Sequence, residues 1–462
     1  MTSLKKIIGY WENWENVTVW SGGVQNMCSS GCTNYEDFIE YTKPFTTVNY
    51  AFVLTSQNWY SGYDPDQSCA KYNKCSGQGG CPNCDKDNTW PASDGSKNLY
   101  WIAKCRGPQY FSPFMTMDTN ISTPTNAILN VRELGRVCRQ HPNGPKEFNI
   151  SLGGWSDCIT IKDPKDLAKI AANMVLYCFA DGIDLDFEHF SIKTNGNDSK
   201  EDRSDDQIKE QIANFATFVY YLRIELDNNI KVWKQTIKDC NEWLESIKEE
   251  NADYYNTNKF YLNDLCKIEK PSFTISYTTR FNSFVNSTQL GFNSNFITDK
   301  EGAKIFDYFK NTLKVPCPID YVNFMNYDQD SPPEYSEWFE KIITETLKSG
   351  YIKKEQIICG IEPGIQAGAP KAPDQSKYFG EIIDKVNKHN TGGIMIWAIN
   401  NVNDKKMRVL TDDIISKFVL LKNIGNKYSL LPRIFSLSSD NGYIYNKQCK
   451  QPQLLKIGRA HV

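Results

Sequence analysis

The sequence predicts an α/β protein built as a (β/α)8 TIM barrel, and three observations lead there. Short apolar runs alternate with amphipathic helical patterns along most of the chain, the signature of parallel βα units. There are eight such runs, and a barrel core of about 250 residues leaves room for insertions. No Gly-rich phosphate fingerprint follows the first run, as the alternative doubly wound sheet would carry.

The expected strands are Lys6–Tyr10, Thr46–Phe52, Glu147–Leu152, Gly182–Phe187, Ser272–Tyr277, Tyr321–Met325, Gln356–Ile361 and Gly393–Trp397. Helices are expected between them. In Ser204–Ile224 the apolar residues Ile208, Ile212, Phe215, Val219 and Leu222 recur at helical spacing, and Ser204 with Gln207 reads as a capping box. Asn126–Cys138, Pro164–Phe179, Tyr335–Lys348 (with Gly350 as its C-terminal cap), Tyr378–Lys388 and Asp404–Leu421 complete the series. The barrel is expected over 5–421, with a Cys-rich loop insertion at 55–112 after strand 2 and a second insertion at 231–267. Residues 422–456 read as a C-terminal extension, with the start of a truncated second module as one reading.

Composition narrows the function. The chain has 462 residues, 40% of them hydrophobic, and a formal net charge of −3. It lacks the basic stripe of a nucleic-acid binder. No apolar run approaches the roughly eighteen residues of a membrane span. Four histidines argue against a His-rich metal centre.

Fifteen cysteines are many for a cytosolic enzyme. The cluster Cys69, Cys75, Cys81, Cys84 and Cys105 sits in a Gly- and Pro-broken loop. Its spacing favours disulfides stapling that loop, with zinc at Cys81-Pro-Asn-Cys84 as the alternative. Oxidised cysteines imply a secreted or lumenal protein, yet Met1-Thr-Ser-Leu-Lys-Lys lacks the apolar segment of a signal peptide. At the other end, residues 457–462, Ile-Gly-Arg-Ala-His-Val, read as translated sequencing-adapter DNA.

The most informative run is Asp181-Gly-Ile-Asp-Leu-Asp-Phe-Glu188. Asp184, Asp186 and Glu188 fall at alternate positions, so on a strand they share one face, while Ile183, Leu185 and Phe187 share the other. Three carboxyls on one face of a buried strand cannot all ionise cheaply; their titrations couple and at least one keeps its proton. A carboxylic acid held protonated near neutrality is what a general acid needs. A solvent-facing edge strand or a calcium site is the other reading. Apolar residues at every intervening position and a straight strand speak against both.

This strand is similar to the D-G-x-D-x-D-x-E pattern of family 18 glycoside hydrolases, the chitinases and their relatives. Ser151-Leu-Gly-Gly-Trp155 resembles the family's S-x-G-G motif, and Met325-Asn-Tyr-Asp328 its M-x-Y-D motif. Gly392-Gly-Ile-Met-Ile-Trp397 and Ile8-Gly-Tyr-Trp11 are similar to its eighth and first strands. The resemblance spans residues 6 to about 420 in order. It implies Glu188 as proton donor, Asp186 against the sugar's N-acetyl group, and Asp184 sharing the proton beneath. Tyr10 and Ser151 would balance Asp184, Tyr327 would hold the acetamido carbonyl with Asp328 beside it, and Trp397 would floor the sugar site. Met325 joins these as a motif residue lining the substrate, and Trp155, which follows a strand end, is a sugar-stacking candidate.

The implied function is endo-type hydrolysis of β-1,4-linked N-acetylglucosamine polymers by a retaining, substrate-assisted route, with no cofactor and no metal. Expected partners are chitin or N-acetylglucosamine oligosaccharides bound by a monomer, with neither nucleic acid nor membrane. An endo-β-N-acetylglucosaminidase of N-glycans and a non-catalytic chitin-binding lectin are the alternatives. Ile361 to Gly392 leaves no room for the α+β insertion domain that many family members carry after strand 7, which implies a more open cleft.

Overall fold

The computed structural model describes residues 6–12, 39, 42–53, 134–135, 138, 145, 147–155, 161–177, 180–194, 200–246, 248–249, 273–329, 335–364, 366, 369, 371–372 and 374–399. The Cys-rich loop, the expected helix Asp404–Leu421, most of Asn126–Cys138, and the two terminal stretches with their leader and adapter readings lie outside the described residues.

Ten strands are described: β1 (Lys6–Glu12), β2 (Thr47–Val53), β3 (Glu147–Gly153), β4 (Gly182–Asp186), β5 (Ile192–Thr194), β6 (Lys200–Asp202), β7 (Thr274–Arg280), β8 (Tyr321–Met325), β9 (Ile357–Ile361) and β10 (Gly393–Ile396). Eight of them close a parallel barrel in the order β1-β2-β3-β4-β7-β8-β9-β10, with β10 pairing back onto β1. This is the (β/α)8 barrel. β5 and β6 form a separate antiparallel pair just beyond the acidic strand.

Around the barrel lie α1 (Pro164–Tyr177), α2 (Asp205–Ser246), α3 (Glu301–Asp307), α4 (Tyr335–Ser349) and α5 (Phe379–His389). α2 starts as its sequence predicts. Ser204 N–H donates to Gln207 Oε1 at 3.0 Å, Gln207 N–H returns to Ser204 Oγ at 3.4 Å, and Ile208, Ile212, Phe215, Val219 and Leu222 are all buried. It does not stop near Ile224 but runs on to Ser246, so part of the expected second insertion is a continuation of this helix. α3 was not expected. It starts from Lys300, in the left-handed region at φ 61° with no side-chain cap, so none of the usual start residues announces it.

The two faces of β4 separate as the alternation requires. Ile183, Leu185 and Phe187 are buried towards the helices, with Phe187 packed 5.1 Å from Phe215 of α2. Asp184 and Asp186 point the other way, into the barrel. Between β9 and β10 the described residues form a short helical turn, Gln375–Tyr378, followed by α5. Among the described residues no helix is long and apolar enough to cross a membrane.

Candidate active site

Asp184 lies at the centre of the barrel with no solvent exposure. An ionised carboxylate there loses several kcal/mol of hydration unless hydrogen bonds replace it. Five donors on four other strands do so. Tyr10 Oη (β1) and Ser151 Oγ (β3) each donate to Oδ2 at 2.7 Å. On Oδ1, Ser276 Oγ and Thr278 Oγ1 (both β7) donate at 2.6 and 2.8 Å, and Asn323 Nδ2 (β8) at 3.1 Å. Burial raises the Asp184 pKa above the ordinary carboxylate value, and these bonds pull it back. Burial, together with the Asp184 charge, pushes the Tyr10 phenol well up, which keeps it a donor.

Asp186, one step nearer the C-terminal end of the barrel, is treated differently. It is buried, yet its Oδ1 has no hydrogen-bond partner among the described residues. Burial, the Glu188 charge and the Asp184 charge raise its pKa well above the usual range, and Arg280 opposes them. Those causes favour the neutral form of Asp186, and one of its oxygens is unsatisfied. A buried polar atom left bare calls for an explanation, a catalytic role among them.

Strand β4 ends at Asp186, so Glu188 lies two residues past the strand and not on it, part-exposed at the barrel mouth. Its carbonyl accepts from Arg280 Nη2 at 3.3 Å, at the end of β7. Arg280 also lies over the Trp155 ring, 5.7 Å from its centroid. Trp155 is 43% exposed just beyond β3, with His189 packed 4.8 Å away. Three residues after Glu188, Ser191 Oγ donates to the buried Glu301 at the start of α3. Burial lifts Glu301 to about 7, opposed by the Arg280 charge.

Two glycines bring β3 against this strand. Gly153 pairs with Asp186 at φ 119°, and a Cβ there would lie 2.2 Å from the Asp186 carbonyl oxygen. Gly154, at φ 88°, donates its N–H to that same oxygen at 2.7 Å. Bulk at Gly153 would push β3 off β4, whereas a Cβ on Gly154 would meet the Phe52 ring at 2.5 Å.

The remaining sequence candidates line the same end. Tyr327 is buried, and burial followed by the Asp186 charge raises its pKa well above the ordinary phenol value. Its hydroxyl lies 4.0 Å from Met395 Sδ, leaving it directed at no strong acceptor there. Asp328 takes φ 59°, and its N–H donates to Gln366 Oε1 at 2.6 Å. Trp397 follows β10 and stacks on Phe52 at 5.2 Å and 19°, and it lies 5.5 Å from Tyr10 at a steeper tilt. Met325 and Trp397 pack partly buried against a small inner cluster that includes Tyr10, Phe52, Tyr327 and Met395.

The sequence reading missed Ser276, Thr278, Asn323, Phe52 and Arg280. Its fifth expected strand stopped at Tyr277, three residues short, because Thr278-Thr279-Arg280 is polar and reads as loop. A usable signal was present. Ser276, Thr278 and Arg280 alternate as the acidic strand does, and so do Tyr321, Asn323 and Met325. Among the described residues no group of three or more His, Cys, Asp or Glu side chains could hold a metal ion.

No family model matches the chain and no curated protein matches it. Among solved structures it is similar to a GH18 chitinase from Pseudoalteromonas aurantia (14% identity, TM-score 0.43, 88% of this chain and 99% of that one). It is also similar to a GH18 chitinase from Cycas revoluta in complex with (GlcNAc)3 (13%, 0.40, 90% and 99%) and to a chitinase from Bacteroides thetaiotaomicron (11%, 0.42, 92% and 100%). Likeness this remote carries no inference about what the chain does.

Proposed function

We propose that this chain is a family 18 glycoside hydrolase, a chitinase, cleaving β-1,4-linked N-acetylglucosamine polymers internally with retained configuration. One observation carries the reading: along a single strand face, a saturated Asp184 lies beneath a buried Asp186 whose Oδ1 is bare. A carboxyl so placed orients an amide group of a substrate, and Glu188 beyond it meets the scissile oxygen.

In this mechanism Glu188 protonates the glycosidic oxygen while the substrate's own acetamido oxygen attacks the anomeric carbon. Asp186 bonds the acetamido N–H and faces the positive charge that grows on the oxazolinium ring. Tyr327 Oη donates to the acetamido carbonyl, and Trp397, braced by Phe52, supports the sugar's apolar face. Water then attacks with Glu188 as base. Among the described residues one short turn and one helix lie between β9 and β10, which suits a cleft open enough for internal cuts.

The test is Glu188→Gln on a chitotetraose reporter. Loss of roughly two to three orders of magnitude in kcat, or more, is expected for a missing general acid; turnover near wild type would sink the assignment. A thiazoline analogue of N-acetylglucosamine should inhibit, whereas cleavage of cellulose would rule out substrate assistance. Release of glycans from a high-mannose glycoprotein, with chitin oligomers left intact, would move the substrate to N-glycan cores.

A further inference from the structure

Asp184, Thr278 and Tyr10 form a closed triangle of oxygens. Thr278 Oγ1 lies 2.8 Å from Asp184 Oδ1 and 2.6 Å from Tyr10 Oη, and Tyr10 Oη lies 2.7 Å from Asp184 Oδ2. All three side chains are at most 1% exposed. Three short contacts need three hydrogens, but the two hydroxyls carry only two. With Asp184 ionised, Tyr10 and Thr278 both donate to it and the Tyr10–Thr278 contact holds no hydrogen. With a proton on Asp184 Oδ1, that proton goes to Thr278, the Thr278 hydroxyl turns to Tyr10, and Tyr10 still donates to Oδ2. Every contact is then filled with no heavy atom moved.

We propose that Thr278 is a positioning residue whose hydroxyl reverses its direction of donation, so that Asp184 is satisfied both with and without a proton. Ser151 and Ser276 cannot do this, because among the described residues their hydroxyls reach no oxygen but those of Asp184. Asn323 Nδ2 lies 3.1 Å from Thr278 Oγ1 and 3.4 Å from Tyr10 Oη, and it donates in either state. The titratable groups acting here are Tyr10 from β1 and Asp186 on the same strand. The consequence for the reaction, which rests on the proposed function, is that Asp184 can take up or give up a proton beneath Asp186 with its own hydrogen bonds filled in both states.

The test compares Thr278→Val with Ser276→Ala in protein labelled with 13C at the Asp carboxyls, following the Asp184 resonance against pH. Ser276 only donates, so its loss should raise the Asp184 midpoint by roughly 0.5–1 pH unit. Thr278 supports both forms, so its loss should move the midpoint far less, and Thr278→Ser should restore wild-type behaviour. Thr278→Ala gives the same comparison with a smaller side chain if the valine variant does not fold. A rise with Thr278→Val or Thr278→Ala as large as that with Ser276→Ala overturns the proposal. On a chitotetraose reporter, kcat should fall about tenfold in Thr278→Val with KM unchanged, on the scale of one buried hydrogen bond. The titration needs no turnover: a wild-type protein inert on N-acetylglucosamine oligomers would refute the proposed function while the NMR comparison still decides the role of Thr278.

Discussion

Asn323 Nδ2 on β8 reaches Asp184 Oδ1 on β4 at 3.1 Å, across the intervening strand β7. It is the most distant strand on that side to contribute a donor. Asn323→Leu removes that donor and leaves a buried carboxylate under-bonded. Stability should fall by roughly 1–3 kcal/mol, read from urea unfolding at pH 7. An unchanged midpoint would show that Asp184 does not draw on β8.

Gly153→Ala should be far worse than an ordinary glycine replacement. The added methyl meets the Asp186 carbonyl oxygen at 2.2 Å, and φ 119° is a conformation that alanine rarely adopts. A cost of roughly 2–4 kcal/mol is expected, combining backbone strain with overpacking. Thermal unfolding measures it, and a melting temperature close to wild type would contradict the close approach of β3 to β4.

Glu301 predicts a pH signature in stability. Burial raises its folded pKa from 4.5 to about 7, so the folded protein holds a proton that the unfolded chain releases earlier. Stability therefore declines as pH rises from about 4.5 to about 7, and the loss, on the order of 3 kcal/mol, is complete above that range. Glu301→Gln has no such proton to lose. Its melting temperature relative to wild type should climb between pH 4 and pH 8; a constant difference would argue against a buried, titrating Glu301.

Under the proposed function the flat ring of Trp397, and not its indole N–H, supports the sugar, so Trp397→Ala should raise KM for chitotetraose much more than Trp397→Phe does. The alanine variant also loses the stack on Phe52, worth about 0.5–1.5 kcal/mol. Steady-state kinetics on the two variants separate these effects, and wild-type KM in both would remove Trp397 from the binding surface.

The parts of this molecule legible in the sequence are those set by a short period. The alternation in residues 181–188 gave both faces of β4, and Ser204 with Gln207 gave the start of α2. Glu188 was placed on a strand that ends before it, because a two-residue period continues on paper past the point where pairing stops. The cage around Asp184 was half read. Tyr10 and Ser151 came through resemblance, whereas Ser276, Thr278 and Asn323 are brought in by the register of β7 and β8, which the sequence does not state. α3 was missed for a local reason, since it begins without a capping side chain.

The Asp184 cage also has a consequence for assembly of the barrel. Its donors come from positions 10, 151, 276, 278 and 323, and the contact between Tyr10 and Asn323 spans 313 residues of sequence. Such contacts form only once distant parts of the chain have met. A barrel lacking β1, or one slipped by a single residue at β7, would enclose a carboxylate with donors missing. The ring thus proofreads its own closure: the fully joined barrel is the arrangement that makes this charge tolerable, and incomplete or misregistered rings are selected against by the group at their centre.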